Sequence, residues 1–233
     1  LAKAWGANSS ASDSASIGAT TGGTNNTTLF STAGGTAANS GAAVAITVGN
    51  TITFPAETGT NIGNYTTVLS CLAGGGATAN ALSGTNGQVS NTLVIGAGDS
   101  GKAIVCTYTN TRKTTTITLK KAWSTAAVND TASVILKRGA TTVDTLASTA
   151  NTTTETDTDV TPFTANVGET LNLSETLGGA NAGQYTATLA CDNSVTVGGT
   201  GDFVVPATAT NCTVTNTRKT TTITLKKAWS AAA

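Results

Sequence analysis

The residues best able to do chemistry are lysines that lie among apolar residues. Four residues of the segment 117–123 share one parity: Ile117, Leu119, Lys121 and Trp123. Alternate side chains of a strand point to the same face, so a strand here would place Lys121 on the buried face. Burying an unpaired charge is costly, and burial lowers the pKa of a lysine towards the neutral, nucleophilic amine. The lysine therefore needs a partner elsewhere in the chain.

The segment that carries Lys121 is repeated. Residues 111–124 and 217–230 both read TRKTTTITLKKAWS, and the chain opens with LAKAW, which matches LKKAW at 119–123. Lys3 therefore stands where Lys121 stands. Internal repeats set the architecture of a chain, and these indicate a tandem array.

Both copies consist of short β-rich runs between Gly, Asn and Ser turns, and no stretch has helical periodicity. This pattern predicts an all-β protein of two tandem antiparallel β-sandwiches. The predicted domains are residues 1–112 and 113–218. Residues 219–233 are predicted to be the first strand of a next repeat or a strand donated to a neighbouring subunit.

The composition argues against several classes of function. Charged residues make up 10% of the chain and the net charge is zero, so the basic face that nucleic-acid binding needs is not expected. No apolar run is long enough for a membrane span. The sequence has no histidine, which argues against histidine-based catalysis and zinc sites. We expect no enzyme activity and no cofactor. The Thr-, Ser-, Ala-, Gly- and Asn-rich composition is typical of secreted surface proteins, so we expect an extracellular location.

The four cysteines form one pair per repeat. Cys106 and Cys212 each lie four residues before an Asn-Thr-Arg motif, and Cys71 matches Cys191. We predict the intradomain disulfides Cys71–Cys106 and Cys191–Cys212; the alternative is four buried free thiols. Disulfides imply an oxidising compartment. No cysteine has a close cysteine neighbour, so no metal site is expected from them.

Polar partners for the lysines recur on apolar faces. Asn110 and Asn216 continue the apolar face of the last strand in each repeat, and Glu175 continues that of a middle strand. Glu57 matches Glu175, but the extra residue at Pro55–Ala56 puts it out of phase unless a bulge intervenes.

The order of these motifs resembles the B-type repeats of Gram-positive collagen adhesins and related pilin domains, which have a transthyretin-like or inverse immunoglobulin fold. The matching residues are Lys121 and Trp123, Glu175 and Thr176, Gly183 and Tyr185, and the closing Thr215-Asn216-Thr217. The resemblance covers both repeats from end to end.

The resemblance implies a spontaneous isopeptide bond in each repeat, formed when the lysine amine attacks the asparagine carboxamide and ammonia leaves. The implied triads are Lys3, Glu57 and Asn110, and Lys121, Glu175 and Asn216. A protonated glutamate would polarise the amide and move the proton. The alternative is an unreacted, hydrogen-bonded cluster. The disulfides depart from the family's usual pattern, and one cross-link could replace the other.

An array of cross-linked sandwiches predicts a structural repeat unit of an extracellular bacterial filament or of the stalk of a giant surface adhesin. Its partners would be copies of itself arranged head to tail, within one polypeptide or as strand-donating subunits. The alternative is a ligand-binding adhesin module that contacts its partner through the loop Ala73–Gln88 or the region Ser9–Ser40.

One acidic run suggests a weaker site. Glu155, Asp157 and Asp159 alternate in a Thr-rich stretch and could offer oxygen ligands to calcium. The run lacks the spacing of an EF-hand, so a solvated strand edge is the favoured interpretation.

Overall fold

The computed structural model of the chain describes residues 1–34, 39–73, 76–77 and 82–229. The chain divides into two compact units. Unit 1 comprises Leu1–Thr114 with Asn166–Gly168, and unit 2 comprises Thr115–Ala165 with Glu169–Ala233. The domain boundaries expected from the repeats remain a prediction.

Unit 1 is built from short strands because its β-compatible runs are interrupted by Gly and Asn turns. Its strands are β1 (Ala2–Trp5), β2 (Ser14–Thr21), β3 (Thr24–Thr32), β4 (Asn39–Ser40), β5 (Thr51–Phe54), β6 (Tyr65–Ala73), β7 (Gly76–Ala77), β8 (Thr85–Asn86), β9 (Asn91–Val94) and β10 (Ile104–Arg112). Two 3₁₀ turns lie at Ile62–Asn64 and Ala97–Asp99. One sheet has the order β4-β1-β10-β6-β7, with β8 on β6, and the other has the order β3-β2-β5-β9.

Unit 2 repeats this plan with a longer first strand. They are β11 (Thr114–Ser124), β12 (Thr131–Arg138), β13 (Thr141–Thr149), β14 (Thr154–Thr158), β15 (Phe163–Asn166), β16 (Thr170–Leu177), β17 (Tyr185–Cys191), β18 (Asp202–Val204) and β19 (Thr210–Arg218). One sheet has the order β14-β11-β19-β17, with β15 on β11, and the other has the order β13-β12-β16-β18.

In each unit the two sheets share an apolar core. In unit 1, Ile17 and Phe54 from one sheet form a buried cluster with Leu69 and Tyr108 from the other. The corresponding cluster of unit 2 includes both Leu119 and Leu136. Burial of these side chains provides the main favourable free energy of such a fold. The all-β sandwich predicted from the sequence is confirmed. No helix in the described part of the chain has the length and hydropathy of a membrane span.

The first and last strands of each unit are parallel neighbours. In unit 1, β1 pairs with β10, and in unit 2, β11 pairs with β19. On their other side, β10 and β19 are antiparallel to β6 and β17. Each unit thus holds a parallel pair within sheets that are otherwise mainly antiparallel, because its first and last strands run in the same direction.

Candidate functional site: a buried Lys–Glu–Asn cluster in each unit

Both predicted lysines lie in the core. The side chains of Lys3 and Lys121 are fully buried, as the parity of their strands requires. The parallel register sets Lys121 opposite Val214 and Trp123 opposite Asn216, and Lys3 opposite Tyr108 and Trp5 opposite Asn110. Lysine and asparagine are therefore diagonal neighbours on the inner face of two adjacent strands.

In unit 2 a single carboxylate oxygen joins the two side chains. Oε1 of Glu175 lies 3.3 Å from Nζ of Lys121 and accepts a hydrogen bond of 2.9 Å from Nδ2 of Asn216. Lys121 also donates to the backbone oxygens of Ala122 and Val214, at 2.9 and 3.3 Å. The amine is thus held in place beside the amide.

Unit 1 has the same arrangement with different distances. Oε1 of Glu57 lies 2.9 Å from Nζ of Lys3 and accepts a hydrogen bond of 3.4 Å from Nδ2 of Asn110. Its second oxygen accepts a bond of 2.7 Å from the hydroxyl of Thr67. In unit 2 the repeat alignment puts Ala187 at the position of Thr67, so this hydroxyl is specific to unit 1.

Glu57 reaches the core although its strand is out of phase. β5 ends at Phe54, so Pro55–Ala56 lie outside the strand. The Glu57 amide then donates to the backbone oxygen of Gly87 at 2.9 Å, and the Tyr108 hydroxyl donates to the backbone oxygen of Pro55 at 3.1 Å. The break does what a bulge would do, because it turns the carboxylate back to the inner face. Glu175, by contrast, lies within the continuous strand β16.

Burial dominates the electrostatics of the amines. Burial lowers the pKa of Lys121, although Glu175 and, more weakly, Asp157 act in the opposite direction. Burial also lowers the pKa of Lys3 against the opposing effect of Glu57. A lowered pKa brings each amine closer to the neutral form that is nucleophilic.

The amide oxygens are the unsatisfied atoms of the site. Oδ1 of Asn110 and Oδ1 of Asn216 are buried and accept no hydrogen bond within the described part of the chain. An unsatisfied buried polar atom costs about 1–3 kcal/mol, and such an atom in a native structure needs an explanation. Each oxygen is a place where a donor would be stabilising.

A tryptophan covers each cluster. The sequence analysis did not assign these two tryptophans to the site. Nζ of Lys121 lies 4.2 Å from the centre of the Trp123 ring, and Nζ of Lys3 lies 4.5 Å from that of Trp5. The Trp123 indole donates to the Ser148 hydroxyl at 2.7 Å, which in turn donates to Asp157 at 2.5 Å. The Lys-x-Trp spacing in the sequence could have shown this, because residues two apart on a strand lie on the same face.

Disulfides join the neighbouring strands at both predicted places. Cys71 is bonded to Cys106 and Cys191 to Cys212, and each pair is directly opposite in the register of its sheet.

The acidic run lies on the edge strand β14 and in the turn after it. Glu155 accepts hydrogen bonds from Asn151 and Thr152, and Asp159 accepts one from Thr161. No group of three or more potential metal ligands occurs among the residues that the structure describes. The proposed ligand-contact regions Ala73–Gln88 and Ser9–Ser40 lie partly outside the described residues.

Residues 6–112 match the model of a prealbumin-like fold domain, and no curated protein matches the chain. A similar solved structure is the major pilin protein (T-13) from Streptococcus pyogenes, with 11% identity over 94% of this chain and 96% of that chain and a TM-score of 0.42. Another is the C-terminal fragment of pilus adhesin SpaC from Lactobacillus rhamnosus GG, with 13% identity, coverage of 96% and 99%, and a TM-score of 0.40. Over residues 6–112, the family match agrees with the resemblance to transthyretin-like domains seen in the sequence.

Proposed function

We propose that the chain is a structural repeat unit of an extracellular bacterial filament or surface adhesin stalk, and that an internal amide bond cross-links each of its units. The observation that carries the proposal is the buried Lys–Glu–Asn cluster, which occurs twice and joins the first strand of a unit to its last. Two disulfides support an oxidising, extracellular compartment.

The proposed reaction is balanced within the cluster. In unit 2, Nζ of Lys121 attacks Cγ of Asn216, a C–N bond forms, the bond from Cγ to Nδ2 breaks, and ammonia leaves. Glu175 takes the proton from the amine and passes it to the departing nitrogen. While protonated, it would also donate to the amide oxygen that now lacks a partner. Lys3, Glu57 and Asn110 would react in the same way in unit 1.

The topology suits a load-bearing role. Because β11 and β19 are parallel neighbours, the chain enters unit 2 at one end of this pair and leaves it at the other. Tension would therefore shear the two strands along each other and load their hydrogen bonds together. An amide between Lys121 and Asn216 would carry this load directly from one strand to the next.

Intact-mass measurement of the fully reduced chain tests the cross-links. We expect the wild-type mass to be lower than the sequence mass by two ammonia molecules, and the Asn110→Ala and Asn216→Ala variants to lose one each. Asn151→Ala, at an exposed asparagine, is the matched control and should still lose two. A wild-type mass equal to that of the sequence would refute the cross-links.

Single-molecule pulling tests the structural role. The wild-type chain held at its two ends should resist extension, whereas the double variant Asn110→Ala/Asn216→Ala should unfold and lengthen once its paired strands have sheared apart. Equal extension of both proteins would argue against a stalk that carries load through these bonds.

A further inference from the structure

One carboxylate beside the unit 2 cluster has no part in the proposed reaction. Asp157 lies on the edge strand β14, directly opposite Lys121 in the register of β14 and β11. Paired residues of neighbouring antiparallel strands point to the same face of their sheet. The half-buried Asp157 therefore lies on the inner face, and it flanks Lys121 on the side away from β19 and Asn216.

Two linked hydrogen bonds hold this carboxylate in place. The Trp123 indole donates to the Ser148 hydroxyl at 2.7 Å, and that hydroxyl donates to Oδ2 of Asp157 at 2.5 Å. The three residues lie on β11, β13 and β14, and β13 belongs to the opposite sheet. Because Trp123 and Ser148 are buried and the final acceptor is a carboxylate, these bonds are strong. They fix Asp157 beside the ring whose centre lies 4.2 Å from Nζ of Lys121.

Two carboxylates act on the Lys121 amine from different strands. Glu175 on β16 lies 3.3 Å from Nζ, and Asp157 on β14 acts more weakly. Both favour the charged amine, against the burial that lowers the pKa of Lys121. Glu175 also accepts a hydrogen bond from Asn216, so it can pass a proton from the amine to the departing nitrogen. Asp157 is bonded to Ser148 instead, so its influence on the amine is electrostatic.

The direction of this influence on the reaction follows from the charge of the amine. Before the reaction, Nζ of Lys121 carries a full positive charge in its ion pair with Glu175. During the attack on Asn216 it has given a proton to Glu175 and carries at most a part of that charge. A fixed carboxylate nearby therefore stabilises the ion pair more than the transition state. Because only interactions that are stronger in the transition state accelerate a reaction, Asp157 should slow this one.

We propose that Asp157 is a positioning residue that delays the cross-link of unit 2, because it holds the Lys121 amine in its charged form. The proposal deepens the cross-linking function, on which it rests, by assigning control of the reaction rate to a residue outside the Lys–Glu–Asn cluster. In unit 1 the corresponding pair in the register is Lys3 with Asn39, and an asparagine carries no charge. This delay is therefore specific to unit 2.

The rate of ammonia loss from newly synthesised chain tests the proposal. In an Asn110→Ala background only unit 2 can react, so intact mass at intervals after a short cell-free synthesis reports the unit 2 reaction alone. Asp157→Asn removes the charge and keeps an oxygen that can accept from Ser148, and it should raise the rate at pH 7 about three- to tenfold. Glu155→Gln is the matched control and should leave the rate unchanged, because that carboxylate is bonded to the segment before β14.

The pH dependence of the rate separates an effect of charge from a loss of packing. Asp157 favours the protonated amine of Lys121, so its replacement by asparagine should shift the pH profile of the unit 2 reaction towards lower pH. A substitution that only loosened the packing would change the rate by the same factor at every pH. The Glu155→Gln control should keep the profile of its parent.

The reverse substitution in unit 1 keeps the test independent of how well Asp157→Asn folds. In an Asn216→Ala background only unit 1 can react, and Asn39→Asp puts a carboxylate opposite Lys3. It should slow the loss of ammonia by a similar factor. Unchanged rates for Asp157→Asn and Asn39→Asp would overturn the delay and leave the cross-links standing. A chain that never loses ammonia would overturn both proposals, so the two failures can be told apart.

Discussion

Removal of the carboxylate from the unit 2 cluster should expose the cost of a buried lysine charge. We consider Glu175→Ala in an Asn216→Ala background, in which no amide can form. Nζ of Lys121 would lose the carboxylate oxygen 3.3 Å away, and both side chains are almost completely buried. Removing one partner of a buried ion pair typically costs about 3–5 kcal/mol.

Deprotonation sets an upper limit to that cost. A lysine escapes the penalty by losing its proton, at about 1.4 kcal/mol per pKa unit. From the ordinary pKa of 10.5 to pH 7, the limit is therefore about 5 kcal/mol. Because the folded pKa is lowered, the unfolded chain binds more protons between that pKa and 10.5, and stability must rise with pH in this window. The destabilisation should therefore shrink as the pH rises from 7 towards 10.5, by at most about 1.4 kcal/mol per pH unit.

Equilibrium urea unfolding, followed by the fluorescence of Trp123 in a Trp5→Phe/Trp229→Phe background, measures this cost. The control adds Lys121→Met, which removes the charge and keeps an apolar chain, and it should restore most of the lost stability. The reasoning is refuted if Glu175→Ala costs less than about 1 kcal/mol at pH 7, or if the control remains as unstable as Glu175→Ala.

Three further predictions concern groups around the clusters. Ser148→Ala should lower the free energy of unfolding by about 1–3 kcal/mol, because the Trp123 indole loses its acceptor; urea titration measures this, and an unchanged midpoint would contradict it. Replacement of Cys191 and Cys212 by alanine should cost about 3 kcal/mol, since the disulfide closes a separation of 21 residues; calorimetry showing an unshifted melting temperature would count against it. Burial raises the pKa of Tyr108 and of the other two tyrosines, so the stability they confer is present below about pH 10 and is lost at higher pH. Tyrosinate absorbance should therefore rise together with the loss of circular dichroism, and ionisation around pH 10 in a fully folded chain would disprove this.

Much of the site could be predicted because strand parity is a local property. The alternation in 117–123 alone placed Lys121 in the core, and the repeat carried the same conclusion to Lys3. The cysteine pairs followed from their equivalent positions in the two repeats. For the lysines the informative residues lie on one strand, where the period of two fixes the face.

The features that escaped prediction depend on contacts between distant strands. Nothing local to Glu57 shows that Gly87 and Tyr108 would fix the break at Pro55–Ala56 and turn the carboxylate inward. The Thr67 hydroxyl reaches Glu57 only because β6 lies beside β10 in the folded unit. The parallel direction of first and last strands was likewise set by the fold, since parity is the same in parallel and antiparallel pairs.

The two disulfides have a consequence for how such a chain would respond to proteolysis. Each links residues on either side of a long connection, 72–105 in unit 1 and 192–211 in unit 2. A secreted protease that nicks either connection would break the peptide backbone without releasing a fragment. A fibre of these units would keep its length after many such cuts, and the damage would appear only when its disulfides were reduced.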